Sequence, residues 1–332
     1  MSAASRIGFT LIGGYLGAGK TTLLNRLLRN NESRRIALLI NDFGAINIDA
    51  ALIEKQTDSQ INLTNGCVCC GLSDGFDRAI EQLLAQPNKP DHIIVEASGV
   101  ADVATLSQYG QAPELELDAV LVVADAETVR TKATDKYVAK TVTRQLAAAD
   151  LIILNKIDLV SATEQTELLS WLSEYLPAEF VVPTSYCDVP LQLLIGAGNA
   201  PARFSSTATP QAEAHTHDHA YVSWHFASDL VFSKQQISDF LAALPPTILR
   251  GKGWFNVLAL PDSTQPAQQR LLWQRVGQRE TLSPLAPADT RSHGSAPSTQ
   301  LVVIAQANEL ATTELDRIAT HFLGEAVQLG DA

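Results

Sequence analysis

The chain has 332 residues, 46% of them apolar and 18% charged, and carries a formal net charge of −12. Single hydrophobic cores stop growing at around 250 to 300 residues, so two domains are expected. The acidic balance argues against a nucleic-acid partner. No apolar run approaches the ~20 residues that cross a bilayer, and no secretion signal opens the chain, so a cytoplasmic protein without a membrane partner is expected.

In chain order, the apolar run Ile7–Ile12 predicts a first strand. Gly14-Tyr15-Leu16-Gly17-Ala18-Gly19-Lys20-Thr21-Thr22 follows it and fits G-x-x-x-x-G-K-S/T. Leu24, Leu27 and Leu28 then recur at helical spacing. A glycine-rich turn between strand and helix can aim successive N–H groups inward and cradle phosphate at a helix N-terminus. Lys20 would reach the β- and γ-phosphates, and the Thr21 hydroxyl would hold Mg²⁺. Gly14, Gly17, Ala18, Gly19, Lys20, Thr21 and Thr22 are therefore candidate nucleotide-binding residues.

Short apolar runs at Ile36–Ile40, His92–Val95, Ala119–Val123, Leu151–Leu154 and Phe180–Val182 alternate with helical patterns. Ser161 to Leu176, for example, opens with a capping box, Ser161-x-x-Glu164. Continuous apolar strands separated by helices predict an α/β domain with a mostly parallel sheet covered by helices. Three strand ends carry polar candidates. Asn41-Asp42-Phe43-Gly44 lies after the second run and continues to Asp49, where a switch-like loop could sense the γ-phosphate; Asp42 and Asp49 are candidate magnesium or metal contacts. Glu96, with Gly99 three residues on, ends the His92 run, where phosphate-loop proteins place a carboxylate at the Mg²⁺ shell. Val100, not Gln, follows Gly99, so unaided hydrolysis should be slow. Asn155-Lys156-Ile157-Asp158 ends the Leu151 run; a carboxylate there accepts both N1–H and N2–H₂ of guanine, which favours GTP over ATP.

Three of the four cysteines, Cys67, Cys69 and Cys70, lie within four residues between Gly66 and Gly71. Thiolates at this spacing suit Zn²⁺ or another divalent transition metal, at about 2.3 Å from sulfur. Residues 199–220 are rich in Ala, Pro, Ser and Thr and read as a linker ending in His215, His217 and His219, which can bind metal weakly. Residues 221–332 predict a smaller α+β domain. Its elements are a strand at Tyr221–Phe226, a helix capped by Ser233 and stopped by Pro245-Pro246, and strands at Gly253–Leu260, Arg270–Val276 and Leu301–Ala305. Residues 283–299 read as a loop, and Leu315, Ile318, Phe322 and Leu323 mark a last helix.

Together, G-G-Y-L-G-A-G-K-T-T at 13–22, N-D-F-G at 41–44, G-C-V-C-C at 66–70, E-A-S-G-V-A-D at 96–102 and N-K-I-D at 155–158 closely resemble the CobW-like metallochaperone GTPases. These are relatives of the nickel-insertion GTPases of urease and hydrogenase. Arg250-Gly251-Lys252-Gly253-Trp254 and the final strand–helix pair resemble the family's C-terminal domain. The resemblance implies a P-loop GTPase domain at 1–198 with Lys20, Thr21 and Glu96 in catalysis. It also implies a cysteine-bound metal, often zinc, and GTP hydrolysis coupled to delivery to a client metalloprotein. Two departures stand out: Ile40 and Ala45 flank N-D-F-G where some relatives carry carboxylates, and Thr184-Ser185-Tyr186 matches the guanine-contact region only loosely. A metal-buffering protein with a vestigial nucleotide site and a plain regulatory GTPase with structural cysteines remain the alternatives.

Overall fold

The computed structural model describes residues 6–31, 34–40, 60–62, 73–196, 221–258, 268–284, 299–307 and 310–324. The chain divides into two compact units, one spanning Arg6–Ile195 and one containing Gly196–Ala332.

The first unit is built on β1 (Ile7–Gly13), β2 (Ile36–Ile40), β3 (Gln60–Asn62), β4 (His92–Glu96), β5 (Leu115–Asp125), β6 (Leu151–Asn155) and β7 (Val181–Thr184). They form one sheet in the order β3-β2-β4-β1-β5-β6-β7. Every pairing is parallel. Strands β2, β4 and β6 are buried at all positions, which is why they read as unbroken apolar runs rather than alternating ones. The connecting helices are α1 (Lys20–Asn30), α2 (Ser73–Ala85), α3 (Val103–Ser107), α4 (Val129–Thr134), α5 (Ala139–Ala147), α6 (Ala162–Leu172) and α7 (Leu191–Leu194). Helix α1 buries Leu23, Leu24, Leu27 and Leu28. Both halves of the Ser161–Glu164 capping box form at α6. That helix ends at Leu172, short of Leu176: Pro177 disfavours helical backbone at the residue before it, yet Leu176 stays buried. Strand β1 lies between β4 and β5, so chain order reverses about it, and the crevice at the carboxyl ends of these strands is where such sheets take ligands.

The second unit holds β8 (Tyr221–Ser228), α8 (Lys234–Ala243), β9 (Ile248–Leu258), β10 (Gln268–Val276), β11 (Arg279–Pro284), β12 (Thr299–Gln306) and α9 (Thr312–Leu323). Its five strands pair antiparallel in the order β11-β10-β9-β12-β8. Trp224, Phe226, Phe255, Trp273, Leu301 and Val303 from the sheet pack with Ile237, Phe240, Leu315 and Ala319 from the two helices in one core. Strand β9 starts five residues before the expected Gly253, because Ile248, Arg250, Gly251 and Lys252 pair with β10, β12 or both. Strand β11 was not legible. It is a mostly exposed edge strand of polar sequence, Arg-Glu-Thr-Leu-Ser-Pro, and edge strands need no apolar pattern. Among the described residues no helix is long and apolar enough to cross a membrane.

Candidate nucleotide site

The loop between β1 and α1 has positive φ at Gly14 (132°), Gly17 (78°) and Gly19 (113°). Gly19 stands at the N-cap of α1 in the left-handed region without a side-chain cap. A helix N-terminus presents N–H groups and the positive end of the helix dipole, and an anion suits it. A Cβ at Gly19 would collide with Asn155 Nδ2 and come within 3.2 Å of Cys187 Sγ, so only glycine fits. Lys20, in the first turn, is 7% exposed.

Asn155 ends β6 and is 3% exposed. Its Nδ2 donates to Ala18 O at 2.9 Å, and its Oδ1 accepts from Cys187 N at 2.9 Å. One buried amide thus ties the phosphate loop to the loop after β7. Tyr186 and Cys187 in that loop both take left-handed backbone (φ 55° and 54°). Thr184 Oγ1 donates to Asp188 O at 2.9 Å, and the Asp188 carboxylate pairs with Arg26 on α1. Burial pushes the Cys187 thiol up to about 12, so it stays protonated at neutral pH.

Lys156 follows with φ 66°, and its Nζ donates to Asp125 Oδ2 at 2.7 Å. Asp125, at the end of β5, is 6% exposed, and its other carboxylate oxygen caps Glu127 N at 3.0 Å. Asp158 lies on a short 3₁₀ turn, Ile157–Leu159, and is exposed. Within N-K-I-D the asparagine is therefore a clamp, the lysine is held by a neighbouring strand, and the aspartate faces outward.

Glu96 ends β4 and is 2% exposed, with Ile12 of β1 and Ile40 of β2 as register neighbours. Behind it, Ala97 N donates to Ile12 O at 2.9 Å. Gly99 presses on the phosphate loop, where an added Cβ would lie 2.8 Å from Leu16 N. Lys132 of α4 also reaches this loop: its Nζ donates to Leu16 O at 3.4 Å and lies 5.1 Å from the Tyr15 ring centroid. Between the loop, β5, α4 and α5 is a cavity of about 20 Å³, lined by Tyr15, Ala18, Thr128 and Gln145 among others, with room for one water and no more.

These strand ends bring Gly14–Thr22, Glu96, Gly99 and Asn155–Asp158 to one edge of the sheet. The profile of the CobW/HypB/UreG nucleotide-binding domain matches residues 8–182, more than half of the chain. The chain belongs to the CobW/HypB/UreG family. The cobalamin synthesis protein CobW C-terminal domain matches residues 221–320. Among relatives, a zinc chaperone CobW from Sinorhizobium sp is 35% identical over 187 residues, covering 48% of this chain and 53% of that one. A zinc chaperone CobW from Pseudomonas aeruginosa is 31% identical over 252 residues, 66% of each chain. A zinc-regulated GTPase metalloprotein activator 1 from Schizosaccharomyces pombe is 30% identical over 172 residues, 48% of this chain and 41% of that one. The chain thus spans about two fifths to two thirds of the length of these relatives.

In this CobW/HypB/UreG chain, Asp42, Asp49, Cys67, Cys69, Cys70, His215, His217 and His219 lie outside the described residues. Among the described residues no group of three or more His, Cys, Asp or Glu side chains is placed to hold a metal ion. Sequence reasoning missed Asp125, Gln145 and Cys187. Asp125 had a signal, an acid closing an apolar strand as Glu96 does. Gln145 had one too: with Val142 and Leu146 it falls on the buried face of α5. Cys187 had none, since its burial depends on contacts with Gly19 and Asn155, far away in sequence.

Proposed function

We propose that the chain is a GTP-hydrolysing metallochaperone that carries a divalent metal, with zinc the first choice, and couples hydrolysis to delivery of that metal to a client protein. The observation that carries this reading is the left-handed glycine loop at the N-terminus of α1, closed by the Asn155 clamp and flanked by the outward-facing Asp158. Gly14, Gly17, Ala18, Gly19 and Thr22 would shape the phosphate cradle, and Lys20 would neutralise the β- and γ-phosphates. Asp158 would accept from the guanine edge, while Asp125 holds Lys156 so that its methylene stem can lie along the base.

Thr21 and Glu96 offer hydroxyl and carboxylate oxygens, the hard donors that magnesium prefers, and Glu96 is a buried acid at a strand end. Those residues, joined by Asp42, would hold magnesium. When bound, the ion neutralises charge between the two terminal phosphates. Gly99 would contact the γ-phosphate through its backbone. Cys67, Cys69 and Cys70 would hold the cargo metal as thiolates, with His215, His217 and His219 as auxiliary ligands. The zinc chaperone names of the two CobW relatives support zinc as that cargo. The cysteine segment lies in the chain between the switch-like 41–50 stretch and β4, so loss of the γ-phosphate should change metal affinity.

The test is metal analysis and GTP turnover of the wild-type chain and of a variant with Cys67→Ala, Cys69→Ala and Cys70→Ala, with zinc affinity measured in GTP analogue and in GDP. Zinc retained by the wild type and lost from the variant, slow turnover abolished by Lys20→Ala, and different zinc affinities in the two nucleotide states are expected. Equal affinities would sink the coupling, because a ligand without differential affinity shifts nothing.

A further inference from the structure

Gln145 is a polar side chain that the reading above does not use. It sits on α5, is 2% exposed, and lies on the same helix face as the buried Val142 and Leu146. Its Nε2 donates to Gly99 O at 3.3 Å and to Ala101 O at 3.1 Å. Both acceptors belong to the turn that follows β4, and that turn touches the phosphate loop on its other side, at Leu16. One residue away on α5, the exposed Arg144 lies 3.9 Å from Asp102, whose carboxylate caps α3 at the end of the same turn.

The geometry sets a conflict at Gly99. Close approach to Leu16 N requires a residue without a Cβ, but glycine is the residue whose backbone is least restrained. A trans peptide is planar, with its C=O and N–H pointing in opposite directions. Fixing Gly99 O therefore fixes the direction of Val100 N–H, and fixing Ala101 O does the same for Asp102 N–H. A side-chain amide has two N–H donors, and Gln145 spends its nitrogen on these two carbonyls.

We propose that Gln145 is a positioning residue that holds the Gly99 turn in the orientation needed to meet a γ-phosphate, so that it sets the rate of hydrolysis and the preference for triphosphate over diphosphate. The inference rests on the nucleotide reading above. Gln145 touches neither phosphate nor metal in this account; it acts through Gly99. The alternative is that it only satisfies two buried carbonyls and stabilises the fold.

Two variants separate these roles. Gln145→Met keeps length and volume and removes both donors. Gln145→Glu keeps the shape and, once ionised, turns an acceptor toward two carbonyls; protonation restores one donor. Turnover of GTP, affinities for GDP and for a non-hydrolysable GTP analogue, and melting temperature are measured on the full chain. With Gln145→Met, turnover should fall about tenfold or more, since small misplacements of reacting groups carry penalties of that order. GDP affinity should stay within about twofold and analogue affinity should fall, because only a γ-phosphate meets the turn. Gln145→Glu should lose turnover while its carboxyl is ionised and recover relative to wild type as pH falls, and the melting temperature at each pH separates lost positioning from lost stability. Unchanged turnover in both variants would overturn the proposal. So would GDP and analogue affinities that fall by the same factor together with the melting temperature. A wild-type chain that binds neither nucleotide overturns the nucleotide reading and this one with it; a wild type that binds both, with no split in the variants, overturns the role of Gln145 alone.

Discussion

Asn155 turns inward while Asp158, three positions along the same motif, stays exposed. The motif placed both at the end of a strand but did not say which would be structural. The fold decides it, because Ala18 O and Cys187 N converge on the Asn155 amide from two other loops. Asn155→Ala would leave that carbonyl and that N–H buried without partners, at about 1–3 kcal/mol each. We expect a lower melting temperature and a loss of GDP affinity of tenfold or more in titration. A variant with wild-type values for both would show that the clamp is dispensable. Asp125 follows the same logic one strand away: its carboxylate holds Lys156, so a residue outside the motif governs one inside it.

At the scale of elements, local rules and tertiary rules divide cleanly. Helices α6 and α8 begin where their capping boxes predict, at Ser161 and Ser233, because a cap is satisfied by residues three apart and needs nothing else. At α8 the Ser233 Oγ accepts from Gln236 N at 3.2 Å, and the Gln236 side chain accepts from Ser233 N at 2.9 Å. Ser233→Ala should therefore destabilise the chain by about 1 kcal/mol in denaturant titration, with nucleotide binding unchanged. No measurable shift would mean that packing of Ile237 and Phe240 alone sets that helix start. Strands behave differently. Buried β2, β4 and β6 were plain as apolar runs, whereas β11 escaped notice because an exposed edge strand is defined by its partner β10, not by its own composition.

For the whole molecule, the two units have separate cores, one built on the parallel sheet around Phe9, Leu39 and Val95 and the other on the antiparallel sheet around Phe255 and Trp273. Calorimetry should accordingly show two transitions. Saturating GDP with magnesium should raise only one of them, by about 2.7 kcal/mol of stability at a hundredfold excess over Kd, and Lys20→Ala should remove that shift. A single transition that moves as one would show that the two cores unfold together. The amino-acid sequence by itself determined the chain order of the buried strands, the starts of α6 and α8 and the phosphate-loop and N-K-I-D motifs, because each of these is written in neighbours a few residues apart. Only the tertiary structure decided that Asn155 is a clamp, that Asp125 holds Lys156, that Cys187 is buried against Gly19 and Asn155 and that Gln145 grips the Gly99 turn. Those roles join residues 31 to 168 positions apart, and whether a polar side chain finds its partner across such a span depends on which strands lie side by side.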